Sequence, residues 1–320
     1  MSEDVKSQHY VHRAYLEGFC NPQLEREGKS AVWMYMPNKS PFPQRPERVA
    51  KRNYYYCFQH ENQRQFRAEH DLQKIEDLAL PILRRVRECD LGLSADDRLL
   101  FSAYIGLSHT RVPRFQRIVD RFSCVMSAKH LEAVVSNPER IDNIAAKISE
   151  ETGKKLSRED IERAATGTFE VTQGNRGWSL GQMFVSVNKL QFLISNMNWT
   201  LLLCPADDPG FLTSDNPVSL FDPAAHPRGA IGFASSRAAH FTFPLSRNVC
   251  MLAQHVNAPK VLKLNSSQVR GVNTNTIKRC DSQIYAPFKL DAIQKILDET
   301  VASRKEPGRV LFSKGHVVQE

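Results

Sequence analysis

Trp199-Thr200-Leu201-Leu202-Leu203-Cys204 is where the texture of this chain changes. An unbroken apolar run of this kind reads as a buried strand, and it is far too short to cross a bilayer. Before it the pattern is helical. Leu72, Ile75, Leu78, Ala79, Ile82, Leu83 and Val86 keep an i, i+3, i+4 rhythm, which predicts a long helix from about Gln63. Ser94 with Asp97 starts the next helix as a capping-box-like pair, and Pro113 breaks that run before a helix carrying Phe115, Ile118 and Phe122. Asn137-Pro138 opens another that closes at Gly153, Ser157 with Asp160 opens a short one closed by Gly167, and a last helix covers 179–196.

After Trp199 strands are predicted over 199–204, 211–213, 239–244, 249–254 and 281–287, with helices over 266–280 and 289–301. Near the start, 11–19 reads as a short amphipathic helix ended by Asn21-Pro22. A strand over 31–36 follows, then a proline-rich connection (Pro37, Pro41, Pro43, Pro46) and an extended segment over 52–58. Strands near the N-terminus and in the C-terminal third, packed with a largely helical middle, predict an α+β fold. The expectation is one compact domain over 1–320, with the helical region of about 63–198 as a lobe within it.

Hydrophobic residues make up 41% and charged residues 24% of the 320, the balance of an ordinary globular protein. Seven scattered Cys with no C-x-x-C pair argue for reduced thiols, and 1–4 lacks the basic and apolar regions of a secretory signal, so a cytoplasmic protein with no membrane partner is expected. The excess of 43 Lys and Arg over 35 Asp and Glu, a formal +8, suits a nucleic acid or nucleotide partner, although it also suits mere solubility.

Two stretches carry candidate chemistry. The first, Gln8-His9-Tyr10-Val11-His12-Arg13-Ala14-Tyr15-Leu16-Glu17-Gly18-Phe19, places two His, two Tyr, an Arg and a Phe within a dozen residues. His9 is a candidate general acid or base, against the alternative of an imidazole anchoring the segment. On a helix His9 and His12 share a face, but no third ligand lies nearby in sequence, so no metal site is assigned. The second stretch, Thr213-Ser214-Asp215-Asn216-Pro217-Val218, puts a carboxylate and an amide at the end of a strand, where either a site or an Asx-type turn would use them. Arg111, Arg114, Arg117 and Arg121 share one helical face. The pattern suits phosphate, or a solvated amphipathic helix, and Arg111 stands apart at the Val112-Pro113 break. P-loop, dinucleotide-binding, zincin and nucleophile-elbow signatures are absent from the sequence.

Taken together, His9-Tyr10-Val11-His12-Arg13-Ala14-Tyr15-Leu16-Glu17-Gly18-Phe19 and Thr213-Ser214-Asp215-Asn216-Pro217-Val218 resemble the bacterial domain-of-unknown-function family 4238, with its His-Tyr-Val-Pro-x-x-Tyr-Leu-x-x-Phe opening. Trp33-Met34-Tyr35, Arg111-Val112-Pro113, Phe243-Pro244-Leu245-Ser246 and the segment 273–286 fit the same layout. His12 stands where the family pattern usually has Pro. The resemblance implies a fold and a site, not a reaction.

The function expected from these residues is an enzyme acting on a phosphodiester or nucleotide, nuclease-like, in the manner of a defence or toxin effector. In that scheme His9 is the general acid or base, Asp215 orients it or helps hold a metal, and Asn216 fixes the substrate. Arg111 clamps a phosphate, and Tyr10 and Ser214 complete the binding residues. The residues leave the cofactor and the metal dependence open. The alternative is a non-catalytic nucleic-acid- or protein-binding module in which Arg114, Arg117 and Arg121 make the contacts.

Overall fold

The apolar run at 199–204 becomes the second-from-edge strand of a sheet because both of its faces find apolar partners. The computed structural model describes residues 6–26, 28–60, 63–153, 155, 157–172, 176–222, 237–304, 309–313 and 316–319; the stretch 1–4 read for a signal lies outside them. Strands β1 (Ser7–His9), β2 (Asn21–Arg26), β3 (Lys29–Met36), β4 (Lys39–Gln44), β5 (Lys51–Asn53), β6 (Phe58–His60) and β7 (Gln63–Gln65) fill the first part of the chain. Among them sit a short helix, α1 (Arg13–Leu16), continued by a 3-10 turn over Glu17–Phe19, and a 3-10 turn over Pro46–Arg48. Helices α2 (Arg67–Arg87), α3 (Ala95–Thr110), α4 (Pro113–Val135), α5 (Pro138–Thr152) and α6 (Arg158–Thr166) follow. Then come β8 (Thr168–Glu170) and α7 (Arg176–Ser195). The last third carries β9 (Asn198–Leu203), β10 (Thr213–Ser214), β11 (Ser219–Phe221), β12 (His240–Pro244), β13 (Val249–Gln254), β14 (Val261–Lys263), α8 (Ser266–Arg279), β15 (Ile284–Ala286), α9 (Asp291–Ala302), β16 (Val310–Ser313) and β17 (His316–Gln319). The fold is α+β, with its strands early and late and helices between.

The local signals hold where side chains bond nearby backbone. Ser94 accepts from the Asp97 amide at 3.0 Å, Asn137 accepts from the Glu139 amide at 3.0 Å, and Ser157 with Asp160 forms a reciprocal box. Gly153 takes the left-handed conformation at φ 69°, ending α5. Two expectations give way to long-range pairing. The helix over 11–19 is preceded by β1, which pairs with β5 some 40 residues on, so His9 lies on a strand and not on a helix face with His12. The proline-rich connection is itself a strand: β4 pairs with β3 alone, where Pro41 and Pro43 lose no second partner.

The chain divides into two compact units, 1–116 with 180–303 and 117–179 with 304–320. The larger unit therefore takes α2, α3 and most of α7 out of the helical region expected over 63–198, because the apolar faces of these helices join its core. It contains the sheets β10-β15-β3-β2 and β11-β12-β13-β9-β14, with β4 beside β3. β14 runs parallel to β9, and the other neighbours of the second sheet are antiparallel. Tyr15, Leu16, Phe19, Phe101, Tyr104, Leu201 and Phe243 are buried in one cluster, where the Tyr15 ring stacks on Phe243 at 5.0 Å. Arg98 ties α7 to β9, donating to the Ser195 carbonyl at 2.8 Å and lying 4.0 Å from the centre of the Trp199 ring. The smaller unit holds α5, α6, most of α4 and the sheet β17-β16-β8, with Ile141, Val310 and Phe312 buried.

Candidate functional site

α2 turns a line of residues spaced like an apolar stripe toward the core, yet two of its members are carboxylates. Leu72, Ala79 and Leu83 are buried, and Glu69 and Glu76 share their side of the helix. What they face is Arg111, at the C-cap of α3, 4% exposed. Its guanidinium is fully engaged: Nη1 on Glu76, Nε on the Tyr56 hydroxyl at 2.9 Å, and Nη2 on the backbone carbonyl of His9. Burial works against the charge, but Glu76 and Tyr56 outweigh it and hold Arg111 above its ordinary value. Tyr56 also donates to the His9 carbonyl, at 3.1 Å. Arg111 thus anchors the strand that carries His9.

The two imidazoles are held differently. His9 sits opposite Lys51 in the β1–β5 ladder, so the two side chains share a face. Its ring bonds to the Glu47 backbone, and Nε2 is buried without a partner. Burial first, then Lys51 and Arg111, push the His9 pKa down. His12 caps the start of α1, and its Nδ1 lies 3.0 Å from the Tyr104 hydroxyl and 3.9 Å from Glu76 Oε1. Burial lowers its pKa too, against the pull of Glu76. Glu69 moves the other way. Burial, with Glu76 adding to it against Arg111, pushes its carboxyl up to about 7, and Oε2 is buried without a partner. Tyr56 and Tyr104 are both buried, which holds their hydroxyls above the ordinary value. Around Arg111 and Glu76, then, one carboxyl is raised to about 7 while two imidazoles are lowered.

The second motif has other partners. Asp215 is 2% exposed and accepts the amides of Asp281 at 2.6 Å, Ser282 at 2.7 Å and Gln283 at 2.9 Å, with the Ser282 hydroxyl at 3.3 Å. Burial first, then Asp281, raises its pKa to about 6, against the three amides. Asn216 donates to the Arg279 carbonyl at 2.7 Å, and Ser214 donates to the Asn216 carbonyl at 2.9 Å. Arg114 reaches the same corner, donating to the carbonyls of Arg279 at 3.0 Å and Cys280 at 3.1 Å. Neither the Asp215 nor the Asn216 side chain makes the local Asx turn: both bond backbone 63–68 positions away, closing the end of α8 and holding the corner into β15, and only Ser214 bonds its own turn.

The structure brings His9 and Arg111 together, but no hydrogen bond or ion pair joins Asp215 to His9 among the described residues. The two stretches meet through tyrosines instead. Tyr10, buried, hydrogen-bonds Tyr285, whose hydroxyl donates to Gln283 Oε1 at 2.5 Å. The Tyr15 hydroxyl lies 2.7 Å from Thr213 Oγ1 and donates to the Pro244 carbonyl at 2.6 Å. Sequence reasoning missed Glu69, Glu76, Tyr56 and Tyr104. The readable signal was the carboxylates falling on the apolar stripe of α2. Among the described residues no group of three or more His, Cys, Asp or Glu is placed to hold a metal ion, and no helix is long and apolar enough to cross a membrane.

The model of the family described as "Protein of unknown function (DUF4238)" matches residues 7–288. The chain belongs to DUF4238. The match takes in both motifs and the whole Arg111 cluster, and it ends between β15 and α9. Neither a curated protein nor a solved structure matches this DUF4238 chain.

Proposed function

We propose that this DUF4238 protein is an enzyme acting on a phosphodiester or nucleotide substrate by proton transfer at the Arg111 cluster. The observation that carries the reading is the opposed tuning of groups around one buried ion pair: Glu69 is raised toward neutrality while His9 and His12 are lowered. An acid and a base kept apart in this way suit a reaction that deprotonates a nucleophile and protonates a leaving group. The substrate class follows from charge. Lys51, on the face of β5 that His9 shares, and Arg52 beside it are exposed and have no carboxylate partner among the described residues. With Arg111 committed to Glu76, Lys51 is placed on the His9 face to meet a phosphate, and Arg52 lies over the Tyr10 and Tyr55 rings beside it. The seven free thiols fit a reducing, cytoplasmic setting.

The test is incubation of purified protein with end-labelled RNA, single-stranded DNA and nucleotides, with and without divalent metal. Turnover lost in Glu69→Gln, in protein that remains folded, supports the reading; no turnover in any condition overturns it. The second reading is a non-catalytic nucleic-acid-binding module, favoured by the same exposed Lys51 and Arg52. It predicts salt-sensitive binding without turnover, the logarithmic salt slope falling by about 1 when Lys51 is replaced by Ala.

A further inference from the structure

We propose that the proton-transfer atom of this site is Nε2 of His12, with Glu76 and Tyr104 as its positioning residues; the inference rests on the acid–base reading above. Both imidazoles are half-buried, but His9 has its Nε2 sealed from solvent with nothing to bond. A nitrogen closed in this way reaches a substrate only after β1 moves, and β1 is pinned by Arg111 and Tyr56 through the His9 carbonyl. His12 has the complementary arrangement. Nδ1 is held by the Tyr104 hydroxyl at 3.0 Å, with Glu76 Oε1 at 3.9 Å, and the side chain keeps 14% of its surface exposed. Nε2 has no partner among the described residues and is not among their buried unpartnered atoms.

Glu76 Oε1 and the Tyr104 hydroxyl both lie at Nδ1, which favours the proton there and leaves the Nε2 lone pair unspent. Arg111, on the far side of Glu76, pairs with that same carboxylate. The charged groups facing His12 are Glu76 and Asp77 from α2, which favour its protonation, and Arg111 and Arg87, which oppose it. Burial adds to the second pair, so the ring is neutral at pH 7 and able to accept a proton. In the step, Nε2 takes a proton from a water molecule as the water oxygen bonds to phosphorus and the phosphorus–oxygen bond to the leaving group breaks. The Glu69 carboxyl, the acid of the reading above, gives its proton to the leaving oxygen and regains one from the imidazolium, so water and one diester become one monoester and one alcohol.

Bis(p-nitrophenyl) phosphate and labelled single-stranded RNA are the probes, read across pH 4.5–9 with circular dichroism to confirm folding. His12→Gln is expected to lower kcat by roughly 100-fold or more with KM little changed, and to erase the acidic limb of the profile. Tyr104→Phe keeps the ring and removes only the hydroxyl, and is expected to shift that limb without erasing it. Diethyl pyrocarbonate, which acylates accessible neutral imidazoles, is expected to modify His12 well before His9, as peptide mapping would show. Turnover unchanged in folded His12→Gln, or His9 reacting while His12 resists, overturns the assignment and leaves the phosphodiester reading standing. No turnover by the unmodified protein with either probe overturns that reading itself.

Discussion

The Arg111 cluster and the Asp215 corner are both buried, polar and built around one charged side chain, yet they are satisfied in opposite ways. At the corner nearly every bond joins a side chain to backbone: three amides donate to Asp215, and Asn216 and Arg114 donate to the Arg279 carbonyl. Groups fixed in this way hold a chain path and have little left to offer a substrate. In the cluster side chains also bond one another, Arg111 with Glu76 and Tyr56 and His12 with Tyr104, and some polar atoms stay unused: His9 Nε2, Glu69 Oε2 and the exposed edge of His12. Polarity and burial alone do not separate a frame from a site; the unspent atoms are what favours the cluster in the proposal.

The largest expected effect breaks the comparison on the cluster side. Glu76→Ala leaves Arg111 as a buried charge without its partner, and about 3–5 kcal/mol of stability is expected to go, measured by urea denaturation. Asp215→Ala strands three buried amides at the corner and is expected to cost roughly 3 kcal/mol or more, while the pH profile of any turnover in the folded fraction stays where it was. A moved profile would place Asp215 in the site after all.

The pH dependence of stability sharpens the contrast further. His109, buried beside the corner with its ring near the Val218 carbonyl and the Arg114 and Arg279 charges, is pushed down to about 4, chiefly by burial. The unfolded chain binds a proton at about 6.5, so between about 6.5 and 4 it holds more protons than the fold does. Stability is therefore lost on acidification across that window, by about 3 kcal/mol at pH 4 from this side chain. Glu69 and Asp215 act with the opposite sign. Their raised values favour the fold at low pH, and that contribution fades as pH rises toward about 7 and 6. Denaturation midpoints taken from pH 7 to 4 should fall less in His109→Phe than in the unmodified chain; parallel curves would remove His109 from the account. The smallest effect lies outside both regions: Ser157→Ala loses a cap and should cost about 1 kcal/mol.

What could be read from the sequence was local. Ser94, Asn137 and Ser157 announce their helices because each bonds an amide within three residues. β1 and β4 were hidden because their strand character comes from partners elsewhere, β5 for one and β3 for the other, which overrides helical periodicity and proline statistics. In the site, His9 and Arg111 were visible as isolated chemistry. Glu69 and Glu76 were not, since a Glu on an amphipathic helix ordinarily faces water, and only the packing of α2 shows these two facing inward. Asp215 was legible as a motif but ambiguous as a role: the same Asp-Asn-Pro pattern serves a turn or a site, and only the positions of the 281–283 amides tell them apart.

Tyr15 meets Thr213 across 198 positions and Pro244 across 229. During synthesis at about 5–20 residues per second, residues 8–19 leave the ribosome roughly 10–50 s before the surfaces that seat them exist. Until then Tyr15 has no seat, although the partners of both imidazoles, Tyr56, Glu76, Tyr104 and Arg111, have already been made. A product truncated before β12 would carry every residue of the cluster but not the Pro244 carbonyl that helps fasten Tyr15 beside it.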